Sequence, residues 1–175
     1  MSQHPDPAGF RAAASRFSTG VTVVTSSGDD GVPAGMTANS FTTVSMQPPT
    51  VLVSLKRGRT WQAVSESGRY AVNVLGADDV AICRHFAGAP LAQGAPSMDE
   101  RNGFFLLPQA IAQFGCEVVN AVEIADHTLF IGEVRWCQHQ DGLPLAFYAS
   151  RFRNGVGAEI SPNDALAYPA EGWTV

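Results

Sequence analysis

The strongest constraint on this chain is a rhythm. Between residues 21 and 55 four β-branched or apolar segments follow one another, each cut off by turn residues. Val21-Thr22-Val23-Val24-Thr25 runs into Ser26-Ser27-Gly28-Asp29-Asp30-Gly31, where Gly and Asp supply the positive φ angles of a hairpin. Further strand segments are expected at 32–38, 40–45 and, after Pro48-Pro49, at 50–55. Turn signals recurring every ~8–12 residues predict an antiparallel sheet or barrel. The same reading places strands at 70–75, 115–124, 127–138 and 144–150, with Asp141-Gly142 turning between the last two.

Helices are expected only at the periphery. Asp6-Pro7 opens one over 6–17, with Phe10, Ala13, Ala14 and Phe17 on one face. Thr60 is expected to cap a second through Ser65, and Asp78-Asp79 to open a third through Phe86. Residues 87–103 form a long Gly/Ala/Pro-rich loop of the kind that serves as a lid or binding loop. Residues 156–175 read as a tail lying over the surface or a partner subunit. The whole chain, 1–175, is expected to be a single domain with its core over about 10–153.

Composition sharpens this. Charged residues make up 15% of the 175, below the roughly 25% of ordinary domains. Together with 17 Gly and 11 Pro, this suggests a turn-rich β domain that hides part of its surface in an oligomer. The formal charge of −5 and the lack of a basic cluster argue against nucleic acid and anionic membrane. No apolar run reaches the ~20 residues of a bilayer span, and Met1-Ser2-Gln3-His4-Pro5 does not read as a secretion signal, so a cytoplasmic location is expected. Cys83, Cys116 and Cys137 are widely spaced and read as buried reduced thiols. His4, His85, His127 and His139 form no ligand-spaced set, and no metal is expected.

The chain contains no GxGxxG after a strand, no GxxxxGK[ST], no HExxH and no GxSxG. What stands out is a concentration of small hydroxyl and amide groups in Gly35-Met36-Thr37-Ala38-Asn39-Ser40-Phe41. Such a segment can present donors to a planar polar ligand, or it can be a β-bulge with satisfied turn residues. Ser54-Leu55-Lys56-Arg57-Gly58-Arg59-Thr60 leads from a strand into a helix. Its cations and hydroxyls can hold a phosphate or form a solvated basic turn.

With Phe17 through Thr25, Pro49 through Leu55, Gly68 through Leu75 and Asp126-His127-Thr128-Leu129-Phe130-Ile131-Gly132-Glu133-Val134, these segments resemble the flavin reductase-like family of FMN-binding split barrels, in order and separation, from about residue 10 to 153. The resemblance implies a Greek-key-like split β-barrel and a homodimer with flavin near the subunit interface. It implies NAD(P)H:flavin oxidoreductase activity, with NADH or NADPH reducing FMN or FAD and the reduced flavin passing to a separate monooxygenase. By the same resemblance Thr37, Ala38, Asn39 and Ser40 line the isoalloxazine and ribityl chain, and Ser54, Leu55 and Lys56 continue that wall. Arg57, Arg59 and Thr60 lie toward the phosphate. His127 sits where the nicotinamide stacks on the flavin, Phe86 and Tyr148 complete an aromatic wall, and Cys116 is core. Read without the resemblance, His127 is a half-buried strand histidine bonded to a neighbour.

Residues 87–113 depart from the family pattern around Gly103-Phe104-Phe105-Leu106-Leu107, which bears on how the adenosine end of the nucleotide is held. Two other activities fit the same residues. One is a split barrel that keeps its flavin and acts directly on an organic substrate, and the other is a non-catalytic flavin- or haem-binding module.

Overall fold

A computed structural model describes residues 4–157. Helix α1 (Pro7–Ala14) is followed by β1 (Thr19–Gly20), β2 (Thr22–Ser27), β3 (Pro33–Ala38), β4 (Thr42–Met46) and β5 (Pro49–Lys56). Then come α2 (Arg59–Ser67), β6 (Arg69–Val74), α3 (Val80–Phe86), β7 (Asp99–Arg101) and β8 (Phe104–Leu106). The long strands β9 (Ala112–Ile124) and β10 (His127–His139) precede β11 (Leu145–Tyr148) and β12 (Arg151–Asn154).

Seven strands form one antiparallel sheet in the order β3-β2-β6-β9-β10-β5-β4. Its two edges, β3 and β4, are consecutive in the chain and joined only by Asn39, Ser40 and Phe41. Laid flat, six inter-strand gaps would separate these edges by about 29 Å. The four Cα–Cα steps from Ala38 to Thr42 reach at most about 14 Å. The sheet must therefore curl until its edges approach, and β3 does come against β5. The edges do not pair with each other, so the barrel is split there. This is the mainly β architecture with peripheral helices that the strand rhythm predicts.

The barrel interior holds Val24, Val51, Val53, Leu55, Val64, Tyr70, Val72, Cys116 and Phe130. A second cluster, with Val21, Val23, Leu75, Cys83, Leu107 and Leu145, fills the space under α3 and the small sheet β1-β11-β12. Val23 and Val24 point into different clusters, so β2 is buried on both faces. Its run of β-branched residues without polar alternation follows from that.

Several local expectations need correction. Helix α1 ends at Ala14, and its apolar face is uncovered: Phe10 and Phe17 are both exposed. Helix α2 starts at Arg59 behind Gly58, with no side-chain cap, and Thr60 is buried in its first turn. Asp79 stands at the N-terminus of α3, but its carboxylate accepts from Gly76 N at 2.9 Å and makes no cap bond to the helix. The fourth strand begins at Thr42 and not at Ser40, whose hydroxyl is engaged across the split. The loop expected over 87–103 includes β7, which pairs with β8, and β12 is an additional strand. Cys83 and Cys116 are buried free thiols, whereas Cys137 is exposed. The expected tail falls almost wholly outside the described residues. No helix among the described residues is long and apolar enough to cross a membrane.

Candidate functional site

The split brings Ser40 of the β3–β4 link against Ser54 of β5. Ser40 closes it: its hydroxyl donates to Ser54 O at 2.9 Å and accepts from Ser54 N at 3.0 Å. One side chain thus satisfies both backbone groups of a residue on the far side, a substitute for the missing strand pairing. Thr37 Oγ1 donates to the Cys83 carbonyl at 2.6 Å, tying β3 to α3. Thr22 Oγ1 donates to Ala38 O at 2.8 Å. Asn39 is exposed at the opening.

Register determines which side chains face this opening. Ser54 pairs with Leu129 and Lys56 with His127, while Leu129 pairs with Val122 and His127 with Ile124 on β9. Directly opposed residues share a face, so Ser54, Lys56 and His127 lie on the outer side of the sheet in one row. Leu55 alternates inward and is fully buried, so it can offer a ligand only its backbone. Thr60, also buried, is restricted in the same way.

The three cations do not converge. Lys56 Nζ lies 3.4 Å from Asp126 Oδ2 on the outer side. Arg57 turns the other way, stacking 5.2 Å over the Trp61 ring and meeting Glu123 Oε1 at 3.2 Å. Arg59 borders a different hollow of about 380 Å³ between the β2–β3 hairpin and α2, with Gln62 and Glu66. Lys56 and Arg57 thus already face carboxylates, and Arg59 forms no ion pair among the described residues. His127 Nδ1 stands 2.8 Å from Asp126 Oδ1. Asp126 is held below the usual carboxylate range by its hydrogen bond to His127 and then by Lys56.

Beside the split lies a mainly apolar depression of about 210 Å³, lined by Val21, Thr37, Ala38, Asn39, Cys83, Ala87, Phe147 and Phe152. Phe147 and Phe152 are register partners whose ring centroids lie 5.4 Å apart. The aromatic pair that lines the depression is therefore Phe147 with Phe152. Tyr148, next along β11, points to the opposite face. Phe86 packs beneath β3, where a Cβ on Gly35 would stand 2.6 Å from its ring. Thr19, the register partner of Phe147, carries a buried Oγ1 without a hydrogen-bond partner. Sequence reasoning missed Phe147 and Phe152; their apolar alternation shows a strand but not what the strand faces.

A flat apolar wall and a rim of hydroxyl and backbone groups suit the positioning of planar heterocycles. The two buried thiols carry no sign of activation as nucleophiles: burial pushes Cys116 up to about 12 and raises Cys83 as well.

Known proteins resemble this chain in sequence and in fold. A family model described as flavin reductase like domain matches residues 14–155. The chain is 38% identical over 147 residues to the NADH-dependent flavin reductase StyB of Pseudomonas fluorescens, spanning 82% of this chain and 86% of that protein. It superposes on the styrene monooxygenase flavin reductase of Pseudomonas putida with a TM-score of 0.79 at 38% identity, over 85% of this chain and 99% of that one. The Streptomyces globisporus NADH:FAD oxidoreductase SgcE6, in complex with NAD and FAD fragments, matches with a TM-score of 0.75 at 34% identity, over 91% and 95% of the two chains.

Proposed function

Because this chain belongs to the flavin reductase-like domain family, we propose that it is an NADH-dependent flavin reductase whose product, reduced flavin, serves a separate monooxygenase. The observation that carries this reading is the barrel split. A donor-rich link and an aromatic pair border the depression beside it, an outward-facing histidine lies on the outer row that runs from Ser54, and among the described residues no acidic side chain is buried and neither buried thiol is activated.

The residues fit a flavin. The depression offers Val21, Phe147 and Phe152 to an isoalloxazine face, and the orphaned Thr19 hydroxyl is a polar group in want of a partner. Thr37 through Ser40 supply backbone and side-chain groups to the ring edge and ribityl chain, and Ser54 with Lys56 extends the wall. Arg59, without an ion pair among the described residues, is the candidate phosphate contact only for a ligand that extends from the split to the separate hollow beside α2, and Arg57 joins it only by leaving Glu123. A bound flavin supplies an acceptor for the hydride of a reduced nicotinamide. The chain's own contribution is to hold two rings in contact and to place N–H dipoles and cations where negative charge develops. His127 faces the nicotinamide carboxamide.

The same reading gives a homodimer. Leu52, Leu129, Ile131, Val122 and Ile124 share the outer face with Ser54 and His127, and the last two of these apolar residues are 39% and 54% exposed. An apolar face of that kind beside a site is suited to burial against a second copy. Buried free thiols and a pyridine-nucleotide reductant fit the cytoplasm.

Purified protein mixed with NADH and free FMN or FAD is expected to consume NADH absorbance. Absence of oxidation with either flavin and with NADH or NADPH overturns the reading. A colourless protein after gel filtration is expected for a diffusible flavin; a yellow one supports a retained flavin instead. Asn39→Ala, at an exposed position on the link, is expected to raise the flavin KM about 3- to 10-fold with little change in stability.

A further inference from the structure

Strands β9 and β10 are joined by the two-residue turn Ala125–Asp126, since Ile124 and His127 are register partners. Ala125 has a φ of 54°, a left-handed value disfavoured for a residue with a Cβ. The strained turn sets the Asp126 carboxylate back over the first residue of β10. Its Oδ1 lies 2.8 Å from His127 Nδ1 and its Oδ2 3.4 Å from Lys56 Nζ. Lys56 is in turn the register partner of His127 on β5. The carboxylate therefore bridges an imidazole and an ammonium that already face the same way.

We propose that Asp126, restrained by Lys56, is a positioning residue that fixes the ring orientation and tautomer of His127 for the reduced nicotinamide. An ionised carboxylate only accepts hydrogen bonds, so the Nδ1 facing it carries the proton. In the neutral ring Nε2 is then the acceptor, on the side away from Asp126. An acceptor nitrogen there is complementary to the N–H₂ group of a nicotinamide carboxamide, which selects one rotation of that amide. Lys56 attracts the second carboxylate oxygen across a solvent-exposed gap, a modest restraint that favours the same orientation. The lowered proton affinity of Asp126, caused by its hydrogen bonds to His127 and Lys56, agrees with this arrangement, since it keeps the carboxylate ionised at neutral pH. The inference rests on the reading of His127 as the nicotinamide contact.

The test uses the full chain in steady state with NADH and free flavin. Asp126→Ala is expected to raise the NADH KM about 3- to 10-fold, with kcat and flavin KM changed less than about 2-fold. Asp126→Asn, which keeps an acceptor oxygen but loses the hold of Lys56, is expected to fall between wild type and Asp126→Ala. His127→Ala is expected to raise the NADH KM at least as much, and the double variant to be no worse than His127→Ala alone. Nitrogen NMR of His127 is expected to show the Nδ1–H tautomer in wild type and its loss in Asp126→Ala. If His127→Ala raises the NADH KM while Asp126→Ala leaves both it and the tautomer unchanged, the positioning role is overturned and the nicotinamide reading stands. If His127→Ala has no effect on the NADH KM, that reading fails and the role of Asp126 fails with it. A flavin KM that rises as much as the NADH KM assigns Asp126 to the flavin site and also overturns the proposal.

Discussion

Tyr70 and Cys116 face each other in the barrel interior, opposed across β6 and β9, and Gly132 on β10 leaves room for the phenol. A Cβ at Gly132 would lie 2.5 Å from the Tyr70 oxygen. Burial raises the proton affinity of both acids, and pushes the Cys116 thiol from 9.0 up to about 12. An acid whose pKa is raised by folding contributes stability that is complete below its unfolded value and lost as pH rises through the folded one. Unfolding midpoints in urea are therefore expected to fall as pH climbs from 9 toward 12. Cys116→Ala should flatten the slope between pH 9 and 10, before the unfolded tyrosine ionises. An unchanged slope would assign the loss to other groups, Cys83 first among them. The sequence marked Cys116 as core, and the structure agrees. The side-chain directions at 54–60 were not legible in the same way. A run of cations after a strand looks like one cluster, but strand alternation and the positions of Glu123 and Asp126 send Lys56 and Arg57 to different faces.

At the scale of elements, the segment that departs from the family pattern is anchored by a buried amide. Asn73 on β6 donates to Val23 O and Thr25 Oγ1 at 3.2 Å and accepts from Leu107 N at 2.8 Å. Gln113 on β9 donates to Leu107 O at 2.7 Å and accepts from Gln138. Phe104, Leu106 and Leu107, all buried, are thereby held against β2, β6 and β9. Asn73→Leu keeps the side-chain branching but leaves the Leu107 N–H without an acceptor, and is expected to cost about 2–3 kcal/mol, read as a lower urea midpoint. A loss below about 0.5 kcal/mol would show that the segment is held by packing alone. Strands β2, β5, β6, β9 and β10 were legible because their β-branched runs are bounded by turn residues. Strands β7 and β12 were not. They are Asp-Glu-Arg and Arg-Phe-Arg-Asn, and only their pairing with β8 and β11 makes them strands. Helix α1 was read from its capping aspartate and periodicity, yet its apolar face has no cover within the described residues.

For the whole molecule, the dimer proposed from the outer face makes a claim that separates it from the fold. Val122→Asp places a charge on that face without touching either core cluster. It is expected to give monomers in sedimentation with little loss of thermal stability, and to raise the flavin KM if the second copy completes the site. A variant that stays dimeric would direct attention to the uncovered face of α1. The barrel itself follows from a length argument that needs the topology. Three residues between β3 and β4 mean little until those strands prove to be opposite edges of one sheet. Once known, that arrangement has a colloidal consequence. Unpaired sheet edges are the adhesive parts of a β protein, where stray chains add and aggregates begin. Here the β3 edge of the large sheet is turned toward β5 across one narrow seam, held by a serine hydroxyl and flanked by α3. The seam proposed as the ligand site is thus also a place where self-association would start. A flat ligand lying in the seam would shield that edge while it is bound.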